Sequence, residues 1–507
     1  MFASVHGMAV FGIQAHLIQV EVDVSNGLPV FDIVGLPNTA VRESRERVRS
    51  AIKNSGFDFP LQRITVNLAP ADLKKNGSGL DLPIAIGILA ATGQCSAKSL
   101  TNRVFVGELS LEGHLRPVPG VLAMAVSLAQ HSTYSLIVPP ENIQEANLIE
   151  EIASGSADNL AQLASSLEKD LFLAQPQAEP SPEEIPSDNT INLSTVRGQQ
   201  QAKRALEIAA AGGHNLLLLG PPGSGKTMLA KAYAGILPPL TRVESLEVTK
   251  IYSVAGLLGH MGQLIQARPF RQPHHSATAA GILGGGRDMK PGELILANHG
   301  VLFLDELPEF SREVLESLRQ PLEDRELTLT RQRGSVKYPA RLSIVASMNP
   351  CPCGWYGDPK RSCICSPRQI DNYRGRISGP LLDRFDLHIE VPRVEFDELH
   401  SHPESESSPT VQARVLQARQ RQWTRLGESK TNAEMSAVET SAYCGLDSTG
   451  EQLLRNVFER QHLSARSHDR ILRVARTIAD LDSENHILPR HLAEALQYRA
   501  LDRTVTY

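Results

Sequence analysis

A chain of 507 residues is too long for one hydrophobic core, so several domains are expected. Apolar residues make up 41% and charged residues 21%, an ordinary globular composition, and no window holds the 18 or more uninterrupted apolar residues that a membrane span needs. A net charge of −5 argues against a surface coated throughout with nucleic acid, yet it leaves local basic loops free to grip DNA or RNA.

The opening MFASVHGMAVFGIQAH has neither the basic flank nor the apolar stretch of a secretory signal. Of six cysteines, four cluster between Cys351 and Cys365, which fits a reducing cytoplasm with a local site better than an exported disulfide scaffold. A cytoplasmic location is therefore expected.

Residues 1–170 begin with strand-like runs, LIQVEVDVS and LPVFDIVG. The segment NTAVRESRERVRSAIKNSG has helical spacing and stops at Gly56. RITVNLAP reads as another strand and LDLPIAIGILAATG as an apolar helix, giving an α+β or α/β unit. Residues 171–192 hold QPQAEPSPEEIPSDN, too poor in apolar residues to pack, and read as an acidic Pro-rich linker.

Within 193–400, HNLLLLG, VLFLDEL and RLSIVASMNP are short continuous apolar runs separated by helical segments. That pattern predicts a parallel sheet covered on both faces. SHPESESSPT marks a polar loop over 401–410, and 411–507 reads as helical.

The strongest local signal is GPPGSGKT: Gly220, Pro221, Pro222, Gly223, Ser224, Gly225, Lys226 and Thr227. It follows a strand and opens a helix, so its glycines can turn consecutive N–H groups toward a phosphate. Lys226 would reach the β/γ-phosphates of ATP and Thr227 would ligate Mg²⁺. Asp305 and Glu306 end the VLFLDE strand, where the first can hold the Mg²⁺ shell and the second can polarise a water. Asn349 ends the next strand, placed to hydrogen-bond the γ-phosphate or that water. Arg384, in GPLLDRFD, is either a surface charge or a cation that enters a neighbouring copy's site.

Cys351, Cys353, Cys363 and Cys365 form two Cys-x-Cys pairs. Four thiolates can wrap a structural Zn²⁺, and four protein ligands leave no open position for catalysis. A metal-free loop and a redox pair are the alternatives. RELTLTRQRGSVKYPARL reads as a hairpin carrying Arg325, Arg331, Arg333 and Lys337, and ARPFRQPHH adds Arg268, Arg271, His274 and His275. These are candidate contacts to nucleic-acid phosphates, with the histidine pair read as a loop contact in preference to a metal site.

Four stretches carry a family resemblance: ARPFRQPHHSATAAGILGGG, KPGELILANHGVLFLDELPEF, MNPCPCG and RISGPLLDRFDLHIEV. Through them the chain resembles, over nearly its whole length, the magnesium-chelatase-like AAA+ ATPases of the ComM/YifB family. The resemblance implies an α/β P-loop AAA+ core with a helical lid, preceded by a Lon-protease-like α+β domain of the ribosomal protein S5 domain 2 type. It places Lys226 in Walker A, Asp305 and Glu306 in Walker B, Asn349 at sensor 1 and Arg384 as the arginine finger. Arg466 becomes the lid's sensor 2, with Arg470 as the second choice. The hairpin would line the pore of a homohexameric ring. The implied activity is ATP-driven branch migration during integration of transforming DNA. Single-stranded and branched DNA would be its substrates, with recombination proteins as partners and no membrane contact.

Lon-type domains carry a nucleophilic Ser in Pro-Lys-Asp-Gly-Pro-Ser-Ala-Gly and a Lys some 40 residues on. In LKKNGSGLDLP, Lys75-Asn76-Gly77 fits the start of that motif and Gly79 falls at the Ser position, while Leu122 falls at the Lys position. Neither can do the chemistry, so peptide cleavage is not expected, Ser78 being one residue out of place. A metal-chelatase motor and a protein-remodelling machine are the competing functional classes.

Overall fold

The computed structural model describes residues 1–73, 75, 77–131, 133–172, 191–259, 262–286, 289–331, 334–394, 406–461 and 465–499. Most of the expected linker, the first half of the 401–410 loop and Arg333 lie outside them.

Strands β1 (Phe2–Phe11) and β2 (Gln14–Ser25) form a hairpin across the turn Gly12-Ile13, with Phe11 opposite Gln14. Val20, Val22 and Val24 alternate inward along β2, as a half-buried strand requires. With β3 (Val30–Val34), β4 (Arg63–Ala69) and β5 (Arg103–Phe105) they build a mixed sheet. The small hairpin β6 (Glu108–Leu109) and β7 (Leu115–Arg116) stands apart, and β8 (Ser135–Val138) and β9 (Ser154–Ser156) complete the sheet in the order β3-β4-β2-β1-β5-β8-β9. The helix Asp81–Ala91 is apolar on all sides because it is buried on all sides.

The second sheet is parallel throughout: β11 (Phe270–Arg271), β14 (Val301–Leu304), β17 (Ser343–Met348), β10 (Leu216–Leu219) and β18 (Leu387–Glu390), in that order. Its strands β10 and β14 are apolar without a break because both faces are covered. Leu216, Leu218, Phe303 and Val345 share a core with the helices Gln200–Gly212 and Lys226–Ile236. Their neighbours Leu217, Leu219, Leu302 and Leu304 point the other way, toward Ile251, Leu294 and Val314. Between β14 and β17 stands the hairpin of β15 (Glu326–Arg331) and β16 (Gly334–Pro339), while β12 (Gly284–Gly285) and β13 (Lys290–Pro291) form a short ribbon.

The C-terminal helices pack into the first of these cores through Val411, Val415, Ile471, Ile478 and Leu492. The chain then returns to the sheet, where His388 N donates to Tyr498 O at 2.7 Å along β18. The N-terminal unit meets the helix Arg242–Ala255. Gly120 N donates to Ser253 O at 3.1 Å, and the buried Glu145 carboxylate accepts from the Ser253 hydroxyl and from Leu122 N. No helix among the described residues is long and apolar enough to cross a membrane.

Asp386 joins the parallel sheet to the helix Ala465–Leu481. Its carboxylate accepts from Asn215 N at 3.3 Å, lies 3.3 Å from His214 Nδ1 and 3.6 Å from Arg470 Nε. His214 Nε2 in turn lies 2.8 Å from Thr477 Oγ1. Burial pushes the Asp386 carboxyl up, but the His214 hydrogen bond and the His214 and Arg470 charges outweigh it and hold the group at about 2. A depressed carboxyl contributes stability that is complete above its unfolded value near 3.8 and is lost as pH falls through about 2. Asp386→Asn is therefore expected to cost roughly 2 kcal/mol at pH 7. The gap to the unmodified protein should close between pH 4 and pH 2, as followed by thermal melts.

Candidate nucleotide site and cysteine cluster

Because β10, β14 and β17 run parallel and in register, their carboxyl ends open onto one edge of the sheet, the usual place for a ligand in an open α/β fold. Each strand leads into predicted site residues there: the phosphate turn after β10, Asp305 and Glu306 after β14, and Asn349 after β17. After β10 the chain turns through Gly223 (φ 77°) and Gly225 (φ 88°), left-handed conformations that glycine adopts without strain. The helix Lys226–Ile236 starts immediately, with its free N–H groups facing the turn.

Lys226 Nζ donates to Gly220 O at 2.7 Å, Pro221 O at 3.0 Å and Asn349 Oδ1 at 3.2 Å. Burial lowers its pKa against the opposing charges of Asp305 and Glu306. Thr227 Oγ1 and Asp305 Oδ2 lie 3.4 Å apart, two oxygens suited to a hard divalent cation. The Ser224 hydroxyl is buried without a hydrogen-bond partner among the described residues. An N–H-lined turn, a lysine, a hydroxyl–carboxylate pair and an orphaned hydroxyl fit a magnesium nucleoside triphosphate.

Three residues at this edge were not legible in the sequence. Ser347, fully buried on β17, donates its hydroxyl to Asp305 and accepts from Glu306 N at 3.2 Å, fixing both acidic residues. Its only signal is a polar side chain in an apolar strand. Gln199 Nε2 donates to Ser224 O at 2.6 Å and to Pro392 O at 3.3 Å, holding the phosphate turn from outside. His275, read as a loop contact, places Nδ1 3.5 Å from Glu306 Oε2.

The predicted arginines lie elsewhere. Arg384 is not an exposed loop cation: its side chain is 9% exposed and paired with Glu323, with Nε donating to Arg319 O at 3.0 Å. Arg384, Arg466 and Arg470 line a cavity of about 730 Å³, together with Arg325, Lys430 and Arg473. No residue of the phosphate turn lines it. The structure thus brings together Lys226, Thr227, Asp305, Glu306 and Asn349, and gathers Arg384, Arg466 and Arg470 in a second place.

Of the candidate phosphate contacts, Arg268 is a correction. Its guanidinium is buried, donating to Pro238 O, to His299 O and to Glu244, and burial lowers its pKa. A cation so enclosed has no face for a nucleic acid. Arg271 is forked onto both Glu293 oxygens at 2.6 and 2.8 Å, and Arg325 stands at the hairpin's base, 3.3 Å from Glu434. Lys337 is exposed on β16, opposite Thr328, with the Glu326 carboxylate diagonally across the hairpin at 3.7 Å. Arg331 ends β15 beside the tip.

The four cysteine sulfurs lie within 4.8 Å of one another, with Cys351, Cys353 and Cys363 separated by 3.4–3.6 Å. Tyr356 N and Cys365 N each donate to a sulfur at 3.4 Å. Four sulfurs so placed fit the corners of a tetrahedral thiolate site. At the positions compared with Lon, a Cβ on Gly79 would meet Val106 and Val118, Leu122 is fully buried, and the Ser78 hydroxyl donates to Glu108. Lys75 is buried, with its amine on Pro70 O.

Comparison with known proteins accords with this geometry. Residues 192–399 match the family described as magnesium chelatase, subunit ChlI. Residues 20–142 match subunit ChlI of Mg-chelatase, and 405–499 match the C-terminal part of the same subunit. The chain is 47% identical over 505 residues to the competence protein ComM of Haemophilus influenzae, covering 99% of this chain and 98% of that protein. It is 46% identical over 507 residues to the uncharacterized protein YifB of Salmonella typhimurium, covering 100% and 98%. The magnesium-chelatase 38 kDa subunit of Cereibacter sphaeroides is 25% identical over 215 residues, covering 39% and 58%. With near-full-length identity of this order added to the site geometry, the chain belongs to the magnesium-chelatase-like AAA+ ATPases of the ComM/YifB family.

Proposed function

We propose that this chain is the subunit of a hexameric, ATP-driven DNA motor, a branch-migration helicase that promotes integration of transforming DNA by homologous recombination in the cytoplasm. The observation that carries the motor is the meeting of Lys226, Thr227, Asp305, Glu306 and Asn349 at one sheet edge. Thr227 and Asp305 would hold Mg²⁺, which would supply positive charge to offset that of the phosphates. Glu306 takes the proton of the attacking water as its oxygen bonds to the γ-phosphorus, and the bond to the β,γ-bridging oxygen breaks, releasing ADP and phosphate. Lys226 stays on the phosphate oxygens, and Asn349 orients the water.

One feature supports a ring. The arginines line a cavity apart from the phosphate turn, which supports a neighbouring copy supplying Arg384 to each nucleotide as the arginine finger, with Arg466, or Arg470 as second choice, serving as the lid's sensor 2. For DNA, the support is the β15–β16 hairpin, with exposed Lys337 and with Arg331 and Arg333 in its sequence. The name of the ComM relative, a competence protein, points the same way. Residues 1–170 are assigned a Lon-protease-like fold without peptide cleavage, 171–192 a linker, 193–400 the AAA+ core, 401–410 a loop and 411–507 the lid. Zn²⁺ is assigned to the Cys351–Cys365 loop as a structural ion.

ATP turnover should rise on adding single-stranded or Holliday-junction DNA. Glu306→Gln should lower it by 10² or more, on the order of what a lost general base costs. Turnover that stays flat with every DNA, in assembled and active enzyme, overturns the DNA reading and leaves protein remodelling or chelatase-type work. Arg384→Ala and Lys226→Ala should each be nearly inactive alone. Mixing them should restore part of the turnover, since an intact phosphate turn then meets an intact arginine from another copy. No recovery in mixed, co-assembled rings would place Arg384 in its own subunit's site.

A further inference from the structure

The cysteine loop leaves β17 beside Asn349 and folds back over the nucleotide site. Its first turn, Cys351-Pro352-Cys353-Gly354, is closed by Gly354 N donating to Cys351 O at 3.0 Å. Gly354 has φ +83°, and a Cβ there would meet Pro222 Cδ at 2.5 Å and Cγ at 2.8 Å. The backbone of the cysteine turn thus lies directly against the second proline of the phosphate turn, at a distance only glycine permits.

A second path reaches the same turn from the other side. The Trp355 ring carries Arg361 and Arg393 over it at 4.7 and 4.3 Å, and Arg393 Nε lies 3.5 Å from Asp358 Oδ2 within the loop. Pro392, the preceding residue, accepts from Gln199, whose amide also donates to Ser224 O. Pro222 and Ser224 are therefore both held by the cysteine loop, one by packing and one through Arg393, Pro392 and Gln199. Residues 351–365 contain no helix or strand, so no backbone ladder fixes the loop's shape. The four converging sulfurs are the cross-link available to it.

We propose that a thiophilic divalent cation held by Cys351, Cys353, Cys363 and Cys365 braces the phosphate turn from outside, so that losing the metal loosens nucleotide binding. The cation is a structural cross-link and takes no part in hydrolysis, and the inference rests on the zinc assignment above for the identity of the ion. The turn it braces presents N–H groups whose alignment on the phosphates decides affinity, and displacements near 1 Å at such sites are costly.

The test uses the full chain, with metal content read by mass spectrometry and nucleotide affinity by titration with a fluorescent ATP analogue and Mg²⁺. The unmodified protein is expected to hold one zinc per chain. Cys363→Ser should lose it and bind the analogue on the order of tenfold more weakly. Gly354→Ala should keep the zinc and still bind the analogue more weakly, because its new methyl must displace Pro222. Chelation and zinc re-addition on folded protein, monitored by circular dichroism, gives the same comparison if Cys363→Ser does not fold. Absence of zinc from protein reconstituted with excess metal overturns the ion. Full nucleotide affinity in folded, metal-free protein overturns the brace while leaving the metal site standing. Unchanged affinity in Gly354→Ala overturns the contact through Pro222.

Discussion

Everything at the nucleotide edge depends on β10 pairing in parallel with both β17 and β18. A parallel strand sends its chain out at the same end as its neighbours, so groups more than 120 residues apart arrive together without any loop having to reach. Lys226 meets Asn349 because Leu219 stands opposite Met348, and Asp305 meets Thr227 because β14 is in register with β17. A slip of one residue would misplace the site, and because β10 is leucine throughout and buried on both faces, its apolar pattern alone does not set that register.

Around that edge the polar side chains work in pairs of reach. Lys226, Thr227, Asp305 and Asn349 point inward to where phosphate chemistry would occur, whereas Ser347 and Gln199 hold the backbone that carries them. The arginines answer a different constraint. Asp386, His214 and Arg470 weld the helical region to the sheet, while Arg384 is tied to the helix Arg319–Asp324 and its flank through Arg319 and Glu323. Their guanidiniums are oriented by these neighbours.

What the sequence made legible follows from locality. A glycine-rich turn between a strand and a helix, an acidic pair at a strand end and an asparagine at the next are each read within ten residues, and the parallel sheet brings them together. Four cysteines within one loop are read the same way. The failures are all matters of distant packing. Nothing local to Arg268 says that Pro238, His299 and Glu244 enclose it, and nothing local to His275 says that Glu306 faces it. Arg384 looks like a loop cation until Glu323, some sixty positions earlier, folds against it. The N-terminal unit is similar: its strands are visible as alternations, but its seat on the helix Arg242–Ala255 depends on Glu145 and Ser253, which no periodicity connects.

The return of the chain to β18 has a consequence for how copies of this protein can touch. An exposed strand edge is a template on which another polypeptide can add a strand. Here His388 is paired with Tyr498 and Arg499, and Arg499 Nη1 reaches back to Phe385 O at 2.9 Å, so that side of the sheet is capped by the chain's own backbone. Subunits meeting on this flank would have to recognise each other through side chains and loops, contacts that can slide and re-form, and not through a shared sheet that would lock them into one rigid body.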